Sequence, residues 1–313
     1  MLQWGVALIV ALFFLVRGAD LFVEGAKKVG IKLGMSSFAV GVLIVGLGTS
    51  LPELASSIAA VMADTTEIVV ANVVGSNITN ILLIVGVLAI IGGPVMINKD
   101  LLKTELPIFF ISTIHFVASV YDGVIDRIEA LLLFGTFLAY MWYLFSPNND
   151  ARDEMEVKLK QKKAKLGIKP IVFIIVGIAA VLVGAHYTVE MAVNIATGFA
   201  IPVGLVSIAA IAIGTSLPEL FVSIQAARSG ETDLAIGNIF GSNAFNILLV
   251  IGIPGLMMPL VVDEVVMLLG LPILIAASLI LFVNGLARQV QKWEGVMMIL
   301  FFIFFMVKLI AFV

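Results

Sequence analysis

Two copies of the hexapeptide Gly-Thr-Ser-Leu-Pro-Glu, at residues 48–53 and 214–219, contain the residue types in this chain that are best suited to chemistry. Each copy ends in a glutamate, and Glu53 and Glu219 are each the only charged residue in the long apolar stretch around them. A lone carboxylate in such a stretch is costly unless its charge is compensated, so it is a functional candidate by default. Carboxylate oxygens are hard ligands, which bind hard cations.

The proline of each hexapeptide is expected to open the helix that carries it. Pro52 has no N–H to donate to the carbonyl oxygen of Gly48, and its ring crowds that turn. Within a bilayer, a freed carbonyl is tolerated only against protein or a polar cavity. Thr49 lies four residues before Glu53, a spacing that puts both on one helix face. Each hexapeptide can therefore offer a carboxylate, hydroxyls and loosened main-chain carbonyls at one place.

The composition is that of a membrane protein. Of the 313 residues, 61% are hydrophobic and 12% are charged, with a mean hydropathy of +1.18, whereas soluble domains carry about 25% charged residues. The chain has no cysteine, which excludes disulfides and thiol chemistry, and its two histidines are too few for a His-rich metal site. No Walker, zinc or dinucleotide motif is present, and the apolar N-terminus indicates a retained helix rather than a signal peptide.

Ten apolar segments are long enough to cross a bilayer, at about 20 residues each. The sequence therefore predicts an all-α integral membrane protein with ten transmembrane helices. The predicted helices cover residues 2–24, 35–62, 68–93, 104–121, 126–146, 170–195, 202–227, 234–259, 264–285 and 293–312.

The distribution of Lys and Arg predicts the orientation in the cell membrane. If the N-terminus is outside, fifteen of these residues fall in the inner connections and only Arg127 falls in an outer one. Cytoplasmic loops carry this excess of positive charge. We therefore expect a multi-pass plasma-membrane protein with both termini outside and the polar segment 147–169 as a cytoplasmic linker. The three lysines that follow Glu24 are placed in the first inner loop.

A shift of 166 residues superposes the two hexapeptides and also the segments 72–86 and 238–252. One offset shared by several helices indicates a duplicated unit. Because each half has five helices, an odd number, the second half enters the membrane upside down, and inverted repeats bind substrate near the midplane at their interface. The predicted domains are a first five-helix repeat at 1–146, the linker at 147–169 and a second, inverted repeat at 170–313.

Matching polar stripes lie on the third and eighth predicted helices. Their members recur every four residues and share one helix face, which is expected to point toward the broken helices. The first member of each stripe lies two turns from the carboxylates and is predicted to be structural. Ca²⁺ takes six to eight oxygen ligands, and Na⁺ can use subsets of the same oxygens, so two glutamates match one divalent or two monovalent ions. The stripes comprise Asn72, Ser76, Asn80, Asn238, Ser242 and Asn246.

These motifs resemble the α-repeats of the Ca²⁺:cation antiporter superfamily, in its sodium/calcium exchanger branch with prokaryotic members. The resemblance rests on the doubled hexapeptide, each copy followed about 24 residues later by Asn-x-x-Gly-Ser-Asn, with Ala71 in place of the family's first glycine. It covers nearly the whole chain. It implies an antiporter that exchanges Ca²⁺ for Na⁺ by alternating access, with both ions as transported substrates, no cofactor and no enzymatic activity.

The resemblance also implies the ligands. Glu53 and Glu219 are expected to bind Ca²⁺ and Na⁺ alternately, with the carbonyls of Thr49 and Thr215 as further ligands. The remaining implied contacts are Ser50, Ser216, Ser76, Ser242, the amide positions Asn80 and Asn246, and the main chain near Gly46 and Ala212.

Asn80 and Asn246 also mark a departure, because several family members carry Asp at one or both positions. Charge alone favours fewer than three Na⁺ per Ca²⁺, whereas the retained serines leave room for three. An H⁺- or K⁺-coupled exchanger is therefore the alternative function, followed by a passive cation channel. A membrane enzyme is not supported, because the sequence offers no nucleophile–base pair. The expected partners are the two ions and the lipid bilayer, with no nucleic acid, and the expected functional unit is a monomer.

Overall fold

Two sequence predictions fall outside the part of the chain that the structure describes: the linker, apart from its last three residues, and the ligand position Ala212. The structure, a computed structural model, describes residues 2–33, 35–91, 95–96, 105–145, 167–198 and 214–312.

The described chain is almost entirely helical. Its α-helices are α1 (Leu2–Leu33), α2 (Ser37–Val40), α3 (Leu47–Thr49), α4 (Leu51–Met62), α5 (Glu67–Ile78), α6 (Val85–Ile91), α7 (Glu105–Ser119), α8 (Arg127–Phe145), α9 (Ile168–Gly198), α10 (Leu217–Arg228), α11 (Thr232–Phe245), α12 (Gly252–Met257), α13 (Leu271–Ala287) and α14 (Lys292–Phe312). Four π-helical turns are inserted at Gly41–Gly46, Thr79–Ile84, Asn246–Val250 and Val266–Gly270, and four short strands are β1 (Val95–Met96), β2 (Val124–Ile125), β3 (Leu260–Val261) and β4 (Gln289–Val290).

Helices occupy all ten segments predicted from hydropathy, which confirms the all-α membrane fold. Within the described residues, eight helical spans are long and apolar enough to cross a membrane. The two other segments correspond to α7 and α10. Helix α7 has 15 residues, and α10 begins at Leu217, after residues 199–213, which the structure does not describe.

Helix α1 is longer than the sequence predicted. Its end was placed near Glu24, with the following lysines in a loop, but the helix continues to Leu33. Its 32 residues extend for about 48 Å, more than the hydrocarbon thickness of about 30 Å, so part of it must lie beyond the apolar layer. The charged residues are accommodated in pairs, Lys28 with Glu24 and Lys27 with Glu231.

The described helices pack into two compact units, and each unit combines segments from both halves of the sequence. The units therefore differ from the predicted repeat domains, which describe duplication along the chain rather than packing. One boundary falls inside the first hexapeptide and another inside the repeated Gly-Ser-Asn of α11. The first unit contains residues 1–49 and 143–241, and the second unit contains residues 50–142 and 242–313.

In the first unit, α1 packs along the length of α9 and also contacts α10. The apolar side chains between α1 and α9 include Leu15 and Phe22 on one helix and Val181 and Ala185 on the other, all of them buried. Lipid gives no hydrophobic driving force between helices, so close van der Waals packing along this pair of long helices stabilises the unit.

A close approach in the first unit places α2 and the π-helical turn Gly41–Gly46 against the first half of α11. A Cβ atom added to Gly41 would lie 2.2 Å from the carbonyl oxygen of Leu234, and one added to Gly237 would lie 2.3 Å from that of Phe38. Only glycine allows the two backbones to come this close. The π-helical turn that precedes α3 is therefore held beside the middle of α11.

In the second unit, α4 packs on α5 and α6 packs on α14. Strand β1 pairs with β4 and β2 with β3, both antiparallel, which ties the helix connections together. Phe109, Phe116 and Phe245 are fully buried. The unit also buries the carboxylate of Glu105, which accepts a 2.9 Å hydrogen bond from the Tyr140 hydroxyl.

Candidate functional site

Glu219 in the first unit is fully buried in the first turn of α10, directly after a break in the helix. Ser216 precedes the helix with φ −87° and ψ 2°, and Pro218 is among its first two residues. Proline is tolerated there because the first N–H groups of a helix have no acceptor within it. The predicted opening is therefore observed, and the positive end of the α10 dipole lies beside the glutamate.

Glu53 in the second unit has the same setting. Ser50, with φ −81° and ψ 2°, precedes α4, Pro52 follows near its start, and Glu53 is fully buried in the first turn. One prediction is wrong in detail: Thr49 and Glu53 do not lie on one uninterrupted helix, because the chain leaves helical geometry at Ser50. Proline at position 52 removes the hydrogen bond that would have continued the helix.

In the first unit, the side chain of Asn238 joins the two hexapeptides. The Thr49 hydroxyl donates to Asn238 Oδ1 at 3.1 Å, and Asn238 Nδ2 donates to the Glu219 main-chain oxygen at 3.4 Å and to the Ser223 hydroxyl at 2.9 Å. The Thr49 hydroxyl oxygen also lies 3.4 Å from the carbonyl oxygen of Gly46. Because a main-chain carbonyl can only accept, this network fixes which end of the Asn238 amide faces Thr49.

In the second unit, a shorter network supports the Glu53 turn. The Ser56 hydroxyl donates to the Glu53 main-chain oxygen at 3.0 Å and accepts from Asn72 Nδ2 at 3.3 Å. The first member of each polar stripe therefore bonds to the helix that carries the corresponding glutamate. This agrees with the structural role predicted for Asn72 and Asn238.

The stripe asparagines nearest the carboxylates lie in π-helical turns. Asn80 is the second residue of Thr79–Ile84, and Asn246 is the first of Asn246–Val250. Single π-helical turns inside α-helices are rare and are often found at functional sites. Nothing in the local sequence predicts them, because helix propensity does not distinguish a π-helical turn from a regular α-helical one.

Several buried polar atoms at the predicted site have no hydrogen-bond partner among the described residues. They are the hydroxyl oxygens of Ser50 and Ser216, both amide atoms of Asn80, and Oδ1 of Asn246. A buried polar atom without a hydrogen bond destabilises the folded protein by about 1–3 kcal/mol. A bound ion is one partner that can offset this cost. Oxygen atoms of hydroxyls and amides beside carboxylates suit Ca²⁺ and Na⁺ chemically.

The structure describes every predicted ligand residue except Ala212. It places all of them at buried positions apart from Thr215, which is half-buried. The first unit holds Gly46, Thr49, Thr215, Ser216 and Glu219, and the second unit holds Ser50, Glu53, Ser76, Asn80, Ser242 and Asn246.

The sequence did not single out Asn77, the last residue of the first Gly-Ser-Asn motif. Asn77 is fully buried and bonds to Asn243 and Asn246 within the second unit. The available signal was the recurrence of this asparagine in both repeats, at 77 and 243. Its contacts depend on which distant residues pack together, which periodicity does not show.

A helical membrane protein with buried carboxylates at helix breaks belongs, as a class, to the membrane ion transporters. Comparison with known proteins supports this class. The model of a family described as sodium/calcium exchanger protein matches residues 4–146 and 169–311, which is nearly the whole chain in two segments.

Individual relatives agree with the family match. The chain is 35% identical to the sodium/calcium exchanger MaX1 of Methanosarcina acetivorans over 96% of this chain and 97% of the relative. It is 35% identical to the inner membrane protein YrbG of Escherichia coli over 92% and 90% of the two chains. A solved structure of the sodium-calcium exchanger NCX_Mj, soaked with 2.5 mM Na⁺ and 0.1 mM Ca²⁺, superposes with a TM-score of 0.81 at 27% identity and covers 97% of each chain.

The chain therefore belongs to the sodium/calcium exchanger family. It is a multi-pass membrane ion antiporter and not an enzyme.

Proposed function

We propose that the protein exchanges Ca²⁺ for Na⁺ across the membrane and that Glu53 and Glu219 bind both ions in turn. The observation that carries this proposal is the matched setting of the two glutamates, each fully buried in the first turn after a proline-containing helix break. The family membership supports an exchanger, and the names of MaX1 and NCX_Mj support Na⁺ as the coupling ion.

Charge explains why the two ions compete. Two ionised carboxylates carry a charge of −2, which one Ca²⁺ or two Na⁺ neutralise. Coulomb attraction between a carboxylate and a cation is strong where water is excluded. In this proposal both ions use Glu53 and Glu219, so that binding of one competes with binding of the other.

The hydroxyl and amide oxygens complete the coordination in this proposal. Ser50, Ser216, Asn80 and Asn246 each have a buried polar atom that no described residue satisfies. Ca²⁺ requires six to eight oxygens, more than two carboxylates provide. Main-chain carbonyls of Thr49 and Thr215, each two residues before the start of α4 or α10, are the further ligands that the family resemblance assigns.

A reconstituted vesicle assay tests the coupling ion. Vesicles containing the protein are loaded with Na⁺, K⁺ or acid in separate experiments, and ⁴⁵Ca²⁺ uptake is followed after dilution into medium without that ion. Uptake driven only by the outward Na⁺ gradient is expected. Uptake driven by K⁺ or H⁺ would establish the alternative exchanger, and uptake that follows the Ca²⁺ gradient alone would indicate a passive channel.

The same vesicles test the stoichiometry. The charge argument predicts electroneutral exchange of two Na⁺ for one Ca²⁺, because a third Na⁺ leaves an excess charge of +1 that is costly in the membrane interior. The measurement is the membrane potential at which Ca²⁺ flux reverses under fixed Na⁺ gradients. A dependence equal to one net charge per cycle would contradict the charge argument and favour three Na⁺.

A further inference from the structure

Asn77 connects the polar stripes of the two repeats within the second unit. Its Nδ2 donates to the main-chain oxygen of Asn243 at 3.4 Å, and its Oδ1 accepts from Asn246 Nδ2, also at 3.4 Å. All three residues are fully buried. Both bonds are longer than the range of about 2.7–3.2 Å that is usual for N–H···O contacts, but they form a continuous path from a main-chain carbonyl to the side chain of a proposed ligand.

The direction of this path follows from the chemistry of its first member. A side-chain amide can turn over with little change in shape, and this exchanges its donor and acceptor ends. A main-chain carbonyl can only accept, so the NH₂ group of Asn77 must face Asn243. The carbonyl oxygen of Asn77 then faces Asn246, and only the NH₂ group of Asn246 can satisfy it.

The remaining end of the Asn246 amide is therefore its oxygen. Oδ1 of Asn246 is buried and has no hydrogen-bond partner among the described residues. A cation is attracted by a carbonyl oxygen and repelled by an NH₂ group, so the orientation of this amide decides whether the residue can be a ligand. In the first repeat, no described residue bonds to either amide end of Asn80, the counterpart of Asn246.

We propose that Asn77 is a positioning residue that holds the Asn246 amide with its oxygen toward the transported ion. This rests on the proposed function, in which Asn246 is a ligand, and it adds a residue that does not itself touch the ion. Asn77 presets one neutral ligand of the second repeat, whereas Asn80 in the first repeat must be oriented by the ion itself. The two repeats therefore differ in whether the amide of the ligand asparagine is already oriented before the ion binds.

The test is a double-mutant cycle with Asn77→Ala, Asn246→Ala and the double variant. Apparent Ca²⁺ affinity is read from the rise in melting temperature with Ca²⁺ concentration, which requires binding but no transport. KM and the maximal rate of Ca²⁺ uptake are measured in parallel. Asn77→Ala should weaken Ca²⁺ binding and raise KM about fivefold, the factor for one hydrogen bond of ordinary strength, with little change in maximal rate.

The double variant separates positioning from packing. If Asn77 acts through Asn246, removing it from a protein that already lacks the Asn246 amide should weaken binding no further. Additive losses of affinity would overturn the proposal, and so would an unchanged affinity in Asn77→Ala. If Asn77→Ala does not fold, Asn77→Ser takes its place in the cycle, since it also removes the amide that bonds to Asn246.

One further variant completes the test. Asn284→Ala removes another buried amide of the same unit, which donates to the Met298 sulfur at 3.7 Å, and should lower the melting temperature without changing Ca²⁺ affinity. An equal loss of affinity in Asn284→Ala and Asn77→Ala would contradict the proposed role.

The outcome is independent of the coupling ion. If Na⁺ fails to drive Ca²⁺ uptake in the parent protein, the proposed exchange is wrong, but the effect of Asn77 on Ca²⁺ binding is still measured by melting temperature. If the exchange is observed and the cycle is additive, only the role of Asn77 fails.

Discussion

At the scale of single residues, the two buried glutamates should be indispensable. Glu53→Gln and Glu219→Gln keep the shape of the side chain but remove half of the charge that compensates the ion. Loss of charge attraction in a water-excluded site is far more costly than loss of one neutral ligand. Each variant should therefore abolish ⁴⁵Ca²⁺ transport and remain folded, whereas Ser76→Ala and Asn80→Ala should reduce transport less.

Glu105→Gln is the matched control for this prediction. Glu105 is also buried, but its carboxylate bonds to the Tyr140 hydroxyl outside the proposed ligand set. The amide oxygen of glutamine can accept the same bond, so transport should continue. Transport at the parental rate in Glu219→Gln would show that the site has been misplaced.

Asn238 should matter for both stability and ion affinity. Asn238→Ala removes the acceptor of the Thr49 hydroxyl and a donor to the Glu219 main chain. Leaving buried groups unsatisfied costs about 1–3 kcal/mol, and Thr49 loses the contact that orients it. We expect a lower melting temperature together with a several-fold higher KM for Ca²⁺. A lower melting temperature with unchanged KM would assign Asn238 a purely structural role.

The sequence predicted the residues that are conspicuous by their charge and by their repetition. It did not predict a residue such as Asn77, whose proposed role depends on hydrogen bonds to residues far away in the chain. Glu53 and Glu219 were found because a lone carboxylate in an apolar stretch is costly wherever the stretch packs. The role of Asn77 depends on the main-chain oxygen of Asn243, which lies far away in the chain and comes close only in the folded protein.

At the scale of helices, the break before each glutamate should be needed for transport but not for folding. Pro52→Ala restores an N–H that can bond to the Gly48 carbonyl and continue the helix. We expect a melting temperature at least as high as that of the parent and a lower maximal rate of Ca²⁺ uptake. Pro272→Ala, also among the first two residues of a helix, in α13 and outside both hexapeptides, is the control and should leave the rate unchanged. An unaltered rate in Pro52→Ala would argue against a role for the break.

Hydropathy predicted where the helices lie, but not their internal irregularities. All ten segments were located, because burial of apolar helices in lipid leaves a strong signal in the sequence. The length of α1 was underestimated since its three lysines were read as loop residues, although Lys28 pairs with Glu24 and Lys27 with Glu231. The π-helical turns were missed because helix propensity does not distinguish them from α-helix.

At the scale of the whole molecule, the orientation in the membrane remains a prediction. The excess of Lys and Arg in one set of connections places residues 147–169 in the cytoplasm. The chain has no cysteine, so Asn149→Cys introduces a single reactive site. An impermeant thiol reagent should label it only from the inner side. Asp122→Cys, in a predicted outer connection, is the control and should be labelled on intact cells; the reverse pattern would invert the topology.

The π-helical turns decide where the length of this chain can change. Each turn acts as one extra residue in an otherwise regular helix, and both glutamates precede their stripe asparagine by the same 27 positions, from 53 to 80 and from 219 to 246. Deleting one residue from the turn before α6 would let it close into regular α-helix, so α6 would keep its register and Gly86 would still lie against Gly295, where only a glycine now fits. We therefore expect a deletion of Ile81 to leave a folded protein with impaired Ca²⁺ transport, because Asn80 loses the π-helical turn that carries it. The same deletion placed in a regular helical turn would rotate all that follows by about 100°.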